Sequence, residues 1–225
     1  GPAVGAVSLS SPSPALQAQP GADLQTVLSL PPGEQVLLQL ISVIYEPVST
    51  AFLTKCLAVL DPPPFPNRRL GEGDVGEIVT RLRRQGLLNA KNQCPPALAE
   101  QLTRQAVANR RFARFARLIE KAAPVDYMHG KWVTRCWRAL RQFRIGVYSQ
   151  DFDRLDEALQ FIEASCRHRL QTEPPAVLVT ATPFDPAWFG GLPGSLQFFL
   201  LDQVIRHSLE RLHLYPEILA YLEDE

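Results

Sequence analysis

Residues 104–144 read RQAVANRRFARFARLIEKAAPVDYMHGKWVTRCWRALRQFR, and this stretch decides how the chain of 225 residues folds. Its apolar residues, Phe112 and Ile119 among them, recur at helical spacing. They predict one long helix over residues 95–123, stopped by a proline, and another over residues 131–149. The remainder of the chain beyond residue 95 is mostly helical in the same way, so we expect a mainly α fold.

The same stretch is strongly basic. It carries eleven Lys or Arg and two acids, a net charge of +9, whereas residues 145–225 carry −8 and the first 103 residues −1. Dense like charge on folded helices is destabilised by self-repulsion and therefore favours a counter-ion. Three sources of negative charge are possible: the phosphate backbone of a nucleic acid, an acidic surface of another protein, or the acidic part of this chain.

On helices, the basic side chains fall into two rows with steps of three or four residues. Each row spans about 15 Å, or three turns. A row of this length can meet several successive phosphates, because duplex DNA carries about one charge per 1.7 Å. A solvated helix face is the alternative, although such a face usually carries both signs. The first row is Arg110, Arg114, Arg117 and Lys121; the second is Lys131, Arg135, Arg138, Arg141 and Arg144.

Upstream of this stretch, the sequence predicts three short helices and then a short extended pair. Their order, closed by the motif RLRRQGLL at residues 81–88, resembles a winged helix-turn-helix domain over about residues 30–95. The predicted helices cover residues 33–45, 49–60 and 74–86, and the extended pair covers residues 87–94.

This resemblance implies a small β-hairpin as the wing and a third helix that reads DNA. It adds Arg81 and Arg84 to the candidate nucleic-acid-binding residues. The proline-rich loop at residues 61–73 is much longer than the family's usual turn and changes how the third helix is presented. A protein-docking role for the winged helix is therefore the alternative.

The helix over residues 131–149 and the next one, over about residues 154–169, form a candidate hairpin. Gly146, Ala158 and Ser165 supply small residues where two antiparallel helices can approach closely. The pair resembles one tetratricopeptide-type repeat, without the aromatic residue and the closing proline that the family has.

These patterns divide the chain into three segments. Residues 1–28 are expected to be a disordered leader, residues 29–95 the winged-helix domain, and residues 96–225 an α-helical domain. The last consists of helical hairpins over residues 96–170, a linker over residues 171–192 with strand-like composition at residues 176–180, and C-terminal helices over residues 193–225.

Composition points to an ordinary globular protein without a membrane partner. No apolar run approaches the ~20 residues of a membrane span, and residues 1–22 lack the features of a signal peptide. The four cysteines (Cys56, Cys94, Cys136 and Cys166) have no zinc or redox spacing, so we expect reduced, partly buried thiols and a cytoplasmic location. The opening Gly-Pro resembles the remnant of a cleaved tag, which suggests a piece of a longer protein.

Motifs that carry chemistry are absent from the sequence. It has no glycine-rich phosphate loop, dinucleotide fingerprint, nucleophile elbow or paired-histidine zinc helix. The acids at residues 151–157 lack the glycine and the closing glutamate of a calcium loop. We therefore expect neither an enzyme nor a bound cofactor or metal.

Two functions remain. The first is a non-catalytic nucleic-acid-binding module, the accessory or regulatory region of a larger protein, whose arginine-rich helices contact phosphates. The second is a protein-interaction scaffold in which the basic helices meet an acidic partner or the chain's own acidic C-terminal part. Basic rows open to solvent would favour the first, and rows covered by residues 150–225 the second.

Overall fold

A computed structural model describes residues 23–166 and 173–224. These two ranges contain twelve helices and no strand. The helices are α1 (Leu24–Leu28), α2 (Pro32–Ile44), α3 (Thr50–Ala58), α4 (Glu72–Arg84), α5 (Pro96–Ala108), α6 (Phe112–Ala122), α7 (Trp132–Ser149), α8 (Phe152–Ser165), α9 (Pro175–Ala181), α10 (Pro186–Gly190), α11 (Gly194–Arg211) and α12 (Pro216–Asp224). The mainly α class is confirmed.

Local sequence signals set the starts of α2, α3 and α4. Helix α2 begins at Pro32, where the missing N–H of proline is not needed. The hydroxyl of Ser49 accepts a hydrogen bond from the backbone N–H of Phe52 (3.1 Å) and caps α3. The backbone N–H of Gly71 donates to the carboxylate of Asp74 (2.9 Å) at the start of α4. All three predicted helices are therefore present, with bounds close to those expected.

The predicted winged helix with a β-hairpin is wrong, because no strand follows α4 in the described ranges. Residues 87–94 form a turn instead of a β-ladder, with a backbone hydrogen bond from the N–H of Asn89 to the carbonyl of Gln93 (2.9 Å) and several side-chain hydrogen bonds. The carboxamide oxygen of Asn89 accepts from the backbone N–H groups of Lys91 (2.8 Å) and Gln93 (3.0 Å). The carboxamide of Asn92 donates to the carbonyl of Val48 (2.7 Å). The bonds of Asn89 are local turn bonds, which asparagine favours over an extended ladder, whereas the bond of Asn92 attaches the turn to the segment before α3.

The long helix expected over residues 95–123 is also wrong, because it is divided into α5 and α6. Arg110 adopts a left-handed conformation with φ of 56°. The backbone N–H of Arg111 donates to the carbonyl of Ala106 (2.8 Å), and that of Arg110 to Val107 (3.0 Å). This is the Schellman arrangement that ends a helix, here with arginine in the place of the usual glycine.

Helices α7 and α8 form the expected antiparallel hairpin. A Cβ atom at Gly146 would lie 2.7 Å from the Cβ of Leu155, so only glycine fits at this close approach. A disulfide bond joins Cys136 of α7 to Cys166 at the end of α8, with a Cα–Cα distance of 5.7 Å. Four reduced thiols were expected, and this is wrong for these two cysteines. The far end of the expected second helix, beyond residue 166, lies outside the described residues.

The strand-like composition at residues 176–180 also misleads, because these residues lie in α9. The segment expected as a linker contains α9 and α10, and α9 is almost fully buried. Helix α9 packs on α5, α7 and α11. Residues 173–224 are thereby attached to the rest of the core.

One apolar core runs from α1 to α11. Helix α2 is its most buried element and packs against α5, α6 and α7, so contacts cross the predicted boundary at residue 95. None of the described helices is long and apolar enough to cross a membrane.

We expect two free thiols per chain when the protein is unfolded in denaturant without a reductant, and four after reduction. Cys56 and Cys94 are free and buried, while Cys136 and Cys166 are bonded. Because the bond closes a loop of 30 residues, its reduction should lower the free energy of unfolding by about 3–4 kcal/mol. Thiol titration with Ellman's reagent and urea unfolding measure both effects. Four thiols before reduction would contradict the disulfide.

Candidate functional site

Four cations form the exposed face of α6 and of the turn before it. We call Arg110, Arg114, Arg117 and Lys121 the outer set. All four are exposed, and none has a carboxylate partner in the part of the chain that the structure describes. The single acid of α6, Glu120, is bound by Arg154 of α8 and therefore does not neutralise the outer set.

A cleft of about 180 Å³ lies beside the outer set, between the start of α2, the loop after α3 and α6. Its walls are mostly apolar, with Pro62, Pro63 and Pro64 on one side and Phe115 on the other. Arg114 of the outer set and Arg111 are its charged groups. The guanidinium of Arg111 also donates to the side chain of Gln39 (3.2 Å), which fixes its position.

One of the two candidate residues of α4, Arg81, lies near the same end of α2. Arg81 forms an ion pair with the buried Glu34, two residues from the cleft-lining Pro32 and Val36. This pair neutralises Arg81 although its side chain is half exposed. Arg84 is exposed and has no carboxylate partner among the described residues.

The second predicted row, on α7, is largely internal. Arg144 is 1 % exposed, and its Nε lies 2.7 Å from Oε1 of Glu100, which is fully buried. The Arg144 guanidinium also donates to the carbonyl of Ser42 (2.7 Å) and to the hydroxyl of Thr103 (2.9 Å). It lies 4.0 Å from the ring centre of Tyr45. Arg144 is therefore a structural residue that joins α7 to α2 and α5.

Arg138 and Arg141 share Glu46, the acid that follows α2. The distances from Oε2 of Glu46 are 3.2 Å to Nε of Arg138 and 3.6 Å to Nη1 of Arg141. Both arginines also donate to backbone carbonyls, Arg138 to Pro124 (2.8 Å) and Arg141 to Ala123 (2.5 Å). Burial lowers the pKa of Arg141 to about 10.

The first members of this row are closer to solvent. Lys131 is exposed. Arg135 is partly buried, lies 4.7 Å from the ring centre of Trp132 and donates to the carbonyl of Tyr127 (2.8 Å). Along α7 the row therefore passes from solvent into the core.

These positions correct the expectation that the α7 row is one exposed face. A step of three residues turns the side chain back by about 60°, since each residue advances about 100°. Three such steps separate Arg135 from Arg144 and turn the row by half a circle. Its end must face the core when its start faces solvent, and this follows from the spacing alone.

Arg104 was not identified from the sequence as a residue that holds helices together. Its guanidinium donates to the carbonyls of Val179 and Pro183, both at 2.7 Å, and lies 4.5 Å from the ring centre of Trp188. It thereby attaches α9 and the following turn to α5. No sequence signal separates this arginine from those of the outer set.

The outer set offers electrostatic binding of anions. Among the described residues, no three His, Cys, Asp or Glu side chains come together as a group that could hold a metal. Burial raises the pKa of the Cys56 and Cys94 thiols to about 11 and about 12, which keeps them protonated and unreactive at neutral pH.

Comparison with known proteins returns no match among family models. Neither the curated proteins nor the solved structures include a match.

Replacing one partner of the Arg144–Glu100 pair should destabilise the fold strongly. Arg144→Met leaves a buried carboxylate without its cation, and we expect the free energy of unfolding to fall by about 3–5 kcal/mol. The double variant Arg144→Met/Glu100→Leu should lose less than the sum of the two single variants, because no buried charge is left over. Urea unfolding of the four proteins measures the coupling. Strictly additive losses would contradict a mutually dependent pair.

Stability should fall as the pH rises from 9 to 10. In the unfolded chain, the thiols of Cys56 and Cys94 ionise near their ordinary pKa of 9.0, whereas burial holds the folded pKa near 11 and 12. Below pH 9 both states keep the protons; above it the unfolded state loses them first. The slope approaches about 1.4 kcal/mol per pH unit for each thiol. Urea unfolding at several pH values measures it, and Cys56→Ala/Cys94→Ala should remove the share of the two thiols and leave the share of the buried tyrosines Tyr45, Tyr127 and Tyr148, whose pKa burial also raises.

Proposed function

We propose that the protein is a non-catalytic nucleic-acid-binding module whose outer set binds phosphates. The observation that carries this proposal is the exposure of the outer set without a carboxylate partner among the described residues. Four such cations on three turns of chain repel one another, and a row of phosphates relieves this repulsion. Arginine forks suit phosphate oxygens because they donate two parallel hydrogen bonds.

The packing of the acidic C-terminal part supports this proposal over self-masking. Described residues of that part reach the rest of the chain mainly through α8, which packs on α7, and through α9, which packs on α5 and α7. Their one ion pair with α6 goes to the acid Glu120 and not to a cation. The chain's own acids therefore leave the outer set open to an external counter-ion.

Binding of this kind has little sequence readout. Contacts to phosphates position a protein on nucleic acid, whereas contacts to base edges specify the sequence. The helix that a winged-helix domain would place in the major groove is α4, and one of its two candidate arginines is occupied by Glu34. Arg84 can add one phosphate contact. The expected cytoplasmic location rested on four reduced thiols, and the disulfide between Cys136 and Cys166 removes that ground, so a location is not part of the proposal.

Reversing two charges of the outer set should weaken nucleic-acid binding at every sequence alike. With four phosphates neutralised, the affinity for duplex DNA should fall with a log–log salt slope of about −3.6. Arg114→Glu/Arg117→Glu should bring this slope to about −1.8 or abolish binding. Fluorescence anisotropy with a labelled duplex and with a single strand, at several salt concentrations, measures the effect.

The matched control is Lys91→Glu/Arg211→Glu, which makes the same change in net charge at exposed positions outside the outer set. It should keep the slope of the unchanged protein. Failure of the unchanged protein to bind any DNA or RNA at low salt would overturn the proposal and leave an acidic protein surface as the counter-ion. An equal loss in the control would show that net charge, and not the outer set, drives binding.

A further inference from the structure

Helix α11 is apolar on two nearly opposite faces. Its inner face carries Leu196, Leu200 and Val204, all buried. Its outer face carries four large apolar side chains that are exposed by 43 to 92 %: Phe198, Ile205, Leu209 and Leu212, the last just past the helix end. At about 100° per residue, Phe198, Ile205 and Leu209 fall within a sector of about 40° on the side away from the core, and Leu212 follows them as the left-handed residue that ends the helix.

A surface helix of a globular protein normally buries one face and exposes polar residues on the other. Phe198, Leu209 and Leu212 are each more than two-thirds exposed, on a helix whose inner face is already covered by α9. Extended apolar surface of this kind is rare on monomers and marks an interface with another molecule.

The spacing on the outer face is symmetric. Phe198, Leu201, Ile205, Leu209 and Leu212 are separated by three, four, four and three residues, so the series reads the same in both directions from Ile205. Leu201 is partly buried and borders the exposed four. Two antiparallel copies of such a series match residue for residue, and a symmetric dimer needs this self-complementarity.

We infer that α11 pairs with α11 of a second copy of this chain, antiparallel, with the two-fold axis at Ile205. Ile205 then meets Ile205 of the partner subunit, and Phe198 meets Leu212 of the partner subunit. A helix of another protein could cover the same face, but only a second copy makes use of its symmetric spacing.

The charges beside this face fit the same pairing. Asp202 and Arg206 border the outer face on one side and are bonded to each other at 2.8 Å within one chain. In an antiparallel pair, each helix presents this same side to its partner. Asp202 therefore comes next to Arg206 of the partner subunit, and the four charges at the rim sum to zero.

Sedimentation velocity of the full chain tests the pairing. One helix pair is smaller than a standard interface, so we expect a monomer–dimer equilibrium within about 1 to 100 µM. Ile205→Glu sets two carboxylates against each other at the axis and should weaken dimerisation by about 100-fold or more. Thr80→Glu adds the same charge at an exposed position of α4 and should leave the dimer unchanged.

Two results overturn the inference: a monomer throughout this range, which would mean that another molecule covers the outer face, or an Ile205→Glu variant that dimerises as well as the unchanged chain. Circular dichroism confirms that the variants fold. Because neither measurement includes nucleic acid, the result is independent of the proposed function.

A mixing experiment tests the position of the axis. Ile205→Glu and Ile205→Lys should each be monomeric alone, since like charges meet at the axis. Mixed in equal amounts, they should form a heterodimer, because residue 205 of one chain then meets the opposite charge. A mixture that stays monomeric would overturn the placement of the axis at Ile205.

Discussion

The ion pair between Arg144 and Glu100 joins three helices in a region closed to water. Arg144 belongs to α7, Glu100 to α5, and the same guanidinium holds the carbonyl of Ser42 in α2. The hydroxyl of Tyr148 donates to the second oxygen of Glu100 at 2.6 Å, so both carboxylate oxygens are bonded. A buried charge without its partner is far more costly than the pair is stabilising. The three helices therefore fit together in one arrangement, and separating any one of them exposes the remaining two to that cost.

This pair also explains why a segment with a net charge of +9 folds without a matching excess of acids. Seven of its eleven basic residues divide into two groups with different roles. The first group is internal: two acids, Glu46 and Glu100, form ion pairs with it, and backbone carbonyls accept hydrogen bonds from it. Its members are Arg138, Arg141 and Arg144. The second group is the outer set on α6, which is exposed to solvent and has no carboxylate partner among the described residues. The surface is thus less basic than the sequence implies, but its basic part is concentrated on one helix.

Sequence reasoning located helices well where a local cap or proline defines their ends, as at Pro32 and Ser49. The prediction of one helix over residues 95–123 failed because Arg110 adopts the left-handed conformation that glycine normally takes at a helix end. Sequence reasoning also failed at residues 87–94, where a turn with side-chain hydrogen bonds of Asn89 and Asn92 replaces a ladder. Which arginines are internal and which are exposed was only partly predictable from the sequence. Counting the angle along α7 separates Arg135 from Arg144, but the acids that receive Arg138 and Arg144 are 92 and 44 residues away in sequence.

The two proposed surfaces both lack a partner within the described part of the chain. The outer set has charge without a counter-ion, and the outer face of α11 has apolar area without a cover. Uncompensated charge and exposed apolar area both raise the free energy of an isolated chain. A nucleic acid would compensate the charge, and a second copy of the chain would cover the apolar area. If both are relieved together, a dimer through α11 carries two outer sets, and the second set binds a long nucleic acid at the effective concentration that the first one creates. Weak phosphate contacts of four cations per chain then suffice for firm binding, provided that one strand can reach both copies.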